Sequence, residues 1–429
     1  MTRPTSNPTS GLRTYEVYQR QRVGESTAKV QPRSLLSAAF RRDPYPILAT
    51  LRENYPCYRD WIGNAFWITR YDDVTSVFVD DANFESRPKT WFYGIEPPGR
   101  DLRAQPAVMA RRVELTDALT DLVAQRVISS FAGQADADLA RDFAARLPVE
   151  LLAGVLGVAE QDIPAFARRY WLAQRGAGAD PSARVAGLAA MDELALFFDA
   201  ALARRRDDPA DDLLTTFAQL DLADGPVTSA DLVTTLLEDD HETMHGALAN
   251  LWFQLLADPE RVPMVRDEPR LLRLAYLEVL RHSTPVLAAR RFARHEVERF
   301  GRLLPTGALL VCSAAAANRD PRAFADPDAF VIGRKDLCQR EPRGTYRADG
   351  LPSGITFGLG RPSVHPAMPE DRPRSTYAVT RDVAVRASQV LLDACPHLRL
   401  ADDARPELQS LRLGEMHTCW QLPVVLTGR

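Results

Sequence analysis

Apolar side chains recur every three to four residues along most of the chain between Val108 and Leu256. This spacing predicts a succession of amphipathic helices. The longest predicted helix runs from Ser229 to Leu256, with Ser229 as its N-cap and Asp231 in its first turn, where an acidic residue favours the helix dipole. A further helix is predicted from about Val379 to Cys395.

Alternation of apolar and polar positions predicts strands near both ends of the chain. Between Cys57 and Ile68 the alternation surrounds Gly63-Asn64, which is typical of a β-hairpin turn. Later strands are predicted at Arg290–Ala293, Gly307–Cys312 and Thr418–Leu426. Because helices dominate and strands do not alternate with them, the predicted fold class is mainly α, with an α+β architecture.

Composition and charge exclude several classes of protein. A hydrophobic fraction of 45% over 429 residues excludes disorder of the whole chain. The formal net charge of −4, from 53 basic and 57 acidic side chains, argues against a protein that binds nucleic acid or an anionic membrane. The absence of a long apolar run, a secretory signal and a CxxC motif predicts a cytoplasmic protein with reduced thiols.

Five short segments in a fixed order resemble the cytochrome P450 superfamily, specifically its soluble bacterial class. They are Asp43-Pro44-Tyr45-Pro46, Phe66–Val74, Phe84-Glu85-Ser86-Arg87, Glu278-Val279-Leu280-Arg281, and Ala317–Pro321 with its continuation to Gly333-Arg334. The resemblance implies one large helical domain with a smaller β-containing region over residues 35–429. Residues 1–34, which are polar and rich in Pro, Ser, Thr and Arg, are predicted to form a flexible N-terminal arm.

The Glu278-x-x-Arg281 pair has a structural interpretation. Residues three apart on a helix face the same way, so the two side chains can meet. With Arg334 they would form a carboxylate held by two guanidinium groups, which would staple the later segments together. The alternative is a solvated pair on the helix surface.

The resemblance also implies a haem whose iron is held by a cysteine thiolate, in a loop of pattern Phe-Gly-x-Gly-x-His-x-Cys-x-Gly. The opening of that loop is kept in Phe357, Gly358 and Gly360. Pro362 then stands in place of the histidine, Val364 stands in place of the cysteine, and His365 follows. Since no thiolate can be placed, no cofactor is expected, unless a residue such as His365 ligates haem iron.

The longest predicted helix, like the loop, departs from the family pattern at some positions and keeps it at others. Glu242 and Thr243 match the family's acid–alcohol pair, whereas Asp239 and Asp240 replace two small residues. These four residues are the candidate catalytic groups. The string from His241 to His245 also matches the HExxH zinc pattern, but a third ligand is not identifiable, so no metal is expected.

Three functions remain open at this point. The first is a haem-free protein of a natural-product or antibiotic pathway that activates a partner, because cysteine-less relatives in actinobacteria assist a glycosyltransferase. The second is a haem-independent isomerase, dehydratase or cyclase that uses Asp239, Asp240 and Glu242 as acid and base. The third is a haem oxidoreductase with a non-cysteine ligand. A conventional monooxygenase is not expected.

Four large aromatic side chains indicate a binding surface, whichever of the three functions applies. Trp91, Phe92, Tyr170 and Trp171 lie in the segments where this fold varies its specificity. They indicate a bulky apolar small molecule or an anchor for a protein partner, and a plain core role is the alternative.

Overall fold

The computed structural model describes residues 30, 32–96, 98–178, 181–239, 241–338, 355, 376–410 and 416–427. The predicted arm lies outside the described residues as far as residue 29. The mainly helical α+β architecture predicted from the sequence is confirmed.

The helices form most of the described structure. In the first part of the chain they are α1 (Ala38–Arg42), α2 (Tyr45–Asn54), α3 (Tyr71–Phe78), α4 (Lys89–Tyr93), α5 (Pro106–Ser129), α6 (Leu147–Leu156), α7 (Ile163–Gly176) and α8 (Pro181–Asp207). The later helices are α9 (Leu213–Ala218), α10 (Ser229–Leu237), α11 (His241–Leu256), α12 (Arg261–Asp267), α13 (Arg270–His282), α14 (Ala314–Ala317) and α15 (Thr376–Ala394). Within the described ranges, none of them is long and apolar enough to cross a membrane.

Short strands form one larger sheet and three small ones. The strands are β1 (Cys57–Asp60), β2 (Ala65–Ile68), β3 (Phe84–Glu85), β4 (Asp136–Asp138), β5 (Ala289–Ala293), β6 (Val297–Arg299), β7 (Arg302–Leu304), β8 (Leu309–Cys312), β9 (Arg399–Leu400), β10 (Leu408–Gln409), β11 (Thr418–Cys419) and β12 (Pro423–Val425). The five-stranded sheet has the order β1-β2-β8-β5-β3, and its β2–β8 pair is parallel. The smaller sheets are β4-β12-β9, β6-β7 and β10-β11.

The predicted hairpin is confirmed, with Cys57 paired to Ile68 and Asp60 paired to Ala65. Asn64 sits in the turn with φ of 48°. Asparagine tolerates this left-handed conformation better than most residues do. The turn is therefore fixed by local sequence.

Helices α5, α6, α11 and α15 surround the centre of the core. Trp252 of α11 is fully buried, and its indole N–H donates to Ser388 Oγ of α15 over 3.2 Å. Helix α6 ends at Gly157, whose φ of 75° lies in the left-handed region. A Cβ there would meet the Asp212 carboxylate, so this position needs glycine.

The predicted helix from Ser229 to Leu256 is wrong in two respects. Its N-cap is Thr228 rather than Ser229, because Thr228 and Asp231 form a reciprocal capping box. The helix is also interrupted, since α10 ends at Leu237 and α11 begins at His241.

Asp231 anchors the start of α10 and supplies a testable prediction. Its carboxylate accepts hydrogen bonds from the backbone N–H groups of Thr228 (2.9 Å) and Arg100 (2.7 Å), and it pairs with the Arg100 guanidinium at 2.7 Å. Burial acts to raise the pKa of Asp231, but the hydrogen bonds from Arg100 and Thr228 outweigh it and lower the pKa to about 2.

We expect Asp231→Asn to lower the free energy of unfolding by about 1.5–3 kcal/mol at neutral pH, because hydrogen bonds to a charged acceptor are lost. The pKa of Asp231 is lower in the folded protein than in the unfolded chain, where it is about 4. The ionised carboxylate therefore stabilises the fold above about pH 4, and that contribution is lost as the pH falls toward 2. Urea unfolding of both proteins at a series of pH values measures this. If the difference in the free energy of unfolding between the two proteins does not shrink below about pH 4, the stabilising role of the Asp231 carboxylate is contradicted.

Candidate functional site

A cavity that is partly open to solvent lies between α5, α6, α11 and α15. Together with the solvent at its mouth it encloses about 760 Å³ of empty space. Its apolar lining consists of Met109, Val113, Leu151, Leu152, Val155, Met244 and Val379. Its polar lining consists of Arg103, Arg112, Thr116, His241 and Thr380. Among these lining residues the two arginines carry positive charge, and none is a carboxylate.

The interruption between α10 and α11 is held open by a side chain from α7. Gln174 donates from Nε2 to the carbonyl oxygens of Leu236 (2.9 Å) and Leu237 (3.3 Å). Carbonyls at a helix end lack partners within the helix, and Gln174 supplies them. Glu238, which follows α10, accepts the backbone N–H of Lys89 at 2.5 Å. Burial is the largest influence on Glu238 and raises its pKa.

Asp239 lies in this interruption and pairs with an arginine of the cavity wall. Its Oδ1 is 2.6 Å from Nη1 of Arg112, and the Asp239 side chain is only 4% exposed. Burial acts to raise the pKa of Asp239, but the charge of Arg112 leads the interactions that hold it below its usual value. Asp239 is thus an ionised carboxylate, not the protonated acid of an acid–base pair.

His241 opens α11 beside Asp239 and lines the cavity. Its Nδ1 lies 2.8 Å from the hydroxyl of Tyr170 and 3.9 Å from Oδ2 of Asp239. Burial lowers the pKa of His241 to about 4, and Asp239 opposes that shift only in part. The imidazole is therefore neutral at physiological pH and is positioned by Tyr170.

Two further candidates on the long helix, Glu242 and Thr243, do not line the cavity. Glu242 pairs with Lys89 at 3.7 Å between Oε2 and Nζ. Thr243 is buried, and neither residue is among those that line the cavity. Asp240 lies outside the described residues. The sequence pattern missed His241 and Met244 as the residues of this segment that face the cavity.

The HExxH segment does not assemble a metal centre in the structure. His245 packs its ring against Trp171 at 5.9 Å and Trp420 at 5.6 Å between centroids, while His241 contacts Tyr170. In the part of the chain that the structure describes, no group of three potential ligands could hold a metal ion.

The structure brings Glu278, Arg281 and Arg334 together in the core. Arg281 donates to both carboxylate oxygens of Glu278, at 2.9 and 2.6 Å, and Arg334 donates to Oε1 at 3.2 Å. Arg281 also donates to the carbonyl oxygens of Asn318 and Ala329, at 3.0 and 2.9 Å. The three side chains thus join α13 to the segment after α14.

The loop residues that the resemblance singled out lie outside the described residues; they are Phe357, Gly358, Gly360, Pro362, Val364 and His365. All five cysteines of the chain are described and buried. None of them is among the residues lining the cavity. Burial raises the pKa of the Cys57, Cys312 and Cys419 thiols to about 12, so these thiols stay protonated.

The aromatic candidates fall into two groups. Trp91 of α4 is 42% exposed and contacts Phe92 edge-on at 4.9 Å between centroids. The Arg87 guanidinium stacks 4.3 Å from Trp91, which is a cation–π distance. Tyr170 is buried and Trp171 packs beside it at 5.3 Å. Of these four side chains only Trp91 is exposed enough to present a large aromatic surface to a ligand or a partner.

Comparison with known proteins gives relatives along most of the chain, although no family model matches it. The chain is 30% identical over 392 residues to cytochrome P450 monooxygenase PikC of Streptomyces venezuelae, covering 85% of this chain and 87% of that protein. It is 28% identical over 363 residues to 6-deoxyerythronolide B hydroxylase of Saccharopolyspora erythraea, covering 76% and 86%. The structure of cytochrome P450 TbtJ1 shares its fold with a TM-score of 0.73 at 24% identity, over 91% of this chain and 99% of that one.

These relatives correct two expectations drawn from the sequence. The haem-free auxiliary role is wrong, because relatives matched over most of the chain are named as a monooxygenase and a hydroxylase. The names do not favour the first alternative, a haem-independent pocket enzyme, and they do not describe the second, an oxidoreductase with a non-cysteine ligand. The expectation of no cofactor is also wrong, since the matching proteins are cytochromes P450, a family that carries haem.

The altered segment at 361–366 covers only six residues, whereas the relatives match the chain over most of its length. The identity to PikC over 85% of the sequence and the shared fold both group the chain with these relatives. The chain belongs to the cytochrome P450 superfamily.

Proposed function

We propose that this protein is a haem-containing oxidoreductase that oxidises a bulky, largely apolar small molecule of natural-product metabolism. The observation that carries the proposal is the cavity between α5, α6, α11 and α15, with apolar walls and two guanidinium groups. The names of the relatives, a monooxygenase and a hydroxylase, support the reaction class.

The residues around the cavity suit the body and the carboxylates of a haem. Its flat apolar ring would lie against side chains such as Met109, Met244 and Val379, and its two carboxylates require cationic partners that Arg103 and Arg112 could supply. When bound, haem would supply the activation of oxygen. The protein's own contribution would be to exclude water with the apolar wall and to hold the ring's carboxylates at Arg103 and Arg112.

The substrate would meet the protein at two further places. Trp91 offers an exposed aromatic face, and the stacked Arg87 stiffens it. The neutral His241 imidazole, held by Tyr170, presents a further polar group in the wall of the cavity. A bulky apolar molecule with a few oxygen atoms suits this combination, because large apolar surface supplies affinity and sparse polar groups supply orientation.

The identity of the iron ligand is a separate part of the proposal. We propose that none of the five cysteines ligates the iron, since residues 357–366 contain no cysteine and the five thiols are buried elsewhere. A thiolate ligand favours O–O cleavage, so its loss would slow oxygenation.

One titration tests both parts. We expect the purified protein to take up one equivalent of haem with a sharp Soret band, and the carbon monoxide complex of its reduced form to lack the red-shifted band of a thiolate-ligated haem. Failure to bind haem would contradict the proposed function. A red-shifted band would leave the function intact and show that a cysteine does reach the iron.

A further inference from the structure

The cavity described above adjoins a second, smaller cavity, which is lined mainly by apolar residues of α5, α6, α9 and α10. Arg103, Arg112 and Leu152 line both cavities. Asp239 lines the second cavity. The carboxylate of Asp239 therefore approaches Arg112 from behind the wall of the larger cavity.

The contacts of the Asp239 carboxylate show which side chain balances its charge. Its shortest contact is the 2.6 Å approach to Arg112, and the neutral His241 is farther away at 3.9 Å. Arg103 is directed elsewhere, because it donates to the carbonyl oxygen of Glu238 and pairs with Asp101 at 2.7 Å. Arg112 is thus the main counter-charge of a buried carboxylate.

A carboxylate left without its counter-charge in a buried site is strongly unfavourable. A ligand carboxylate that approached Arg112 from the larger cavity would draw the guanidinium away from Asp239 or share it. In either case the ligand would gain less from Arg112 than it would from a guanidinium without an internal partner. The same side chain that stabilises Arg112 in the unliganded protein therefore opposes the binding of an anion.

We propose that Asp239 competes with the carboxylates of haem for Arg112 and so weakens the affinity of the cavity for haem. This inference rests on the proposed function, because it takes the larger cavity to be the haem site. Asp239 acts here as a built-in substitute for a ligand carboxylate, which keeps Arg112 ordered when the cavity holds no anion.

The test is a haem titration of the wild-type protein and Asp239→Asn. The amide keeps the size of the side chain and removes its charge, so we expect roughly tenfold tighter binding of haem. The dimethyl ester of haem, which has no carboxylate, serves as the second probe. Its affinity should be the same for both proteins, because the competition acts only on a charged ligand group.

Asp121→Asn is the matched control, because Asp121 of α5 pairs with Arg386 at 2.9 Å in an exposed position, and neither residue lines the cavity. We expect little change in its haem affinity. Asp239→Ala serves as a second variant if the asparagine protein does not fold, with circular dichroism to establish folding. Equal or weaker haem binding by a folded Asp239 variant, or equal tightening for the dimethyl ester, would overturn the inference. Absence of haem binding in every protein would instead contradict the proposed function.

Discussion

Arg281→Met is expected to lower the free energy of unfolding by about 3–5 kcal/mol, because it removes the main counter-charge of a buried carboxylate. Arg281 is fully buried and holds both oxygens of Glu278. Its loss would also leave the carbonyl oxygens of Asn318 and Ala329 without this donor. Chemical denaturation monitored by circular dichroism gives the difference directly.

The control for this prediction lies on the same helix. Arg270 is at the start of α13 with a side chain that is 79% exposed, and its partner is the neighbouring Glu268. Arg270→Met should change the free energy of unfolding by less than about 1 kcal/mol, as is usual for a surface ion pair. Similar losses for both variants would show that the buried arrangement around Glu278 is not a major source of stability.

Val113→Trp is expected to weaken haem binding by about 5- to 150-fold. Val113 lies on α5 and lines the cavity, so an indole there would occupy space that the ring of haem needs. Forcing extra volume into a packed site costs about 1–3 kcal/mol, which sets the size of the effect. Titration of the purified variant with haem, followed by its absorption spectrum, measures the affinity.

A valine on the surface provides the comparison. Val185 of α8 is 70% exposed, so Val185→Trp adds the same indole where it fills no cavity. We expect this variant to bind haem as the wild-type protein does. Unchanged affinity in Val113→Trp, with folding intact, would exclude the cavity between α5 and α11 as the haem site.

Local features of the fold were predictable from the sequence. The hairpin from Cys57 to Ile68 depends on alternation and on a turn residue, Asn64, that are all close in sequence. The interruption after Leu237 was not predictable, because it depends on Gln174 of α7 and on Lys89 of α4, which are remote in sequence. The propensity of residues 229–256 for a helix gave no sign of these partners.

In the candidate site, too, the residues of one segment were evident from the sequence, whereas their partners from remote segments were not. The acidic residues of the long helix were evident, but the partner that defines Asp239, the Arg112 guanidinium, comes from α5. Apolar lining residues such as Val113 and Leu152 could not be distinguished from ordinary core residues by periodicity alone. The altered loop alone does not predict the function, because relatives that are named as oxidising enzymes match the chain over most of its length.

Haem is expected to occupy the cavity between α5, α6, α11 and α15. The most direct measurement is a crystal structure of the protein purified with haem, with anomalous diffraction recorded at the iron edge. We predict a single iron peak inside this cavity, with porphyrin density in contact with Arg112 and Met244. An iron peak elsewhere, or well-ordered density for these helices with no iron between them, would contradict the account.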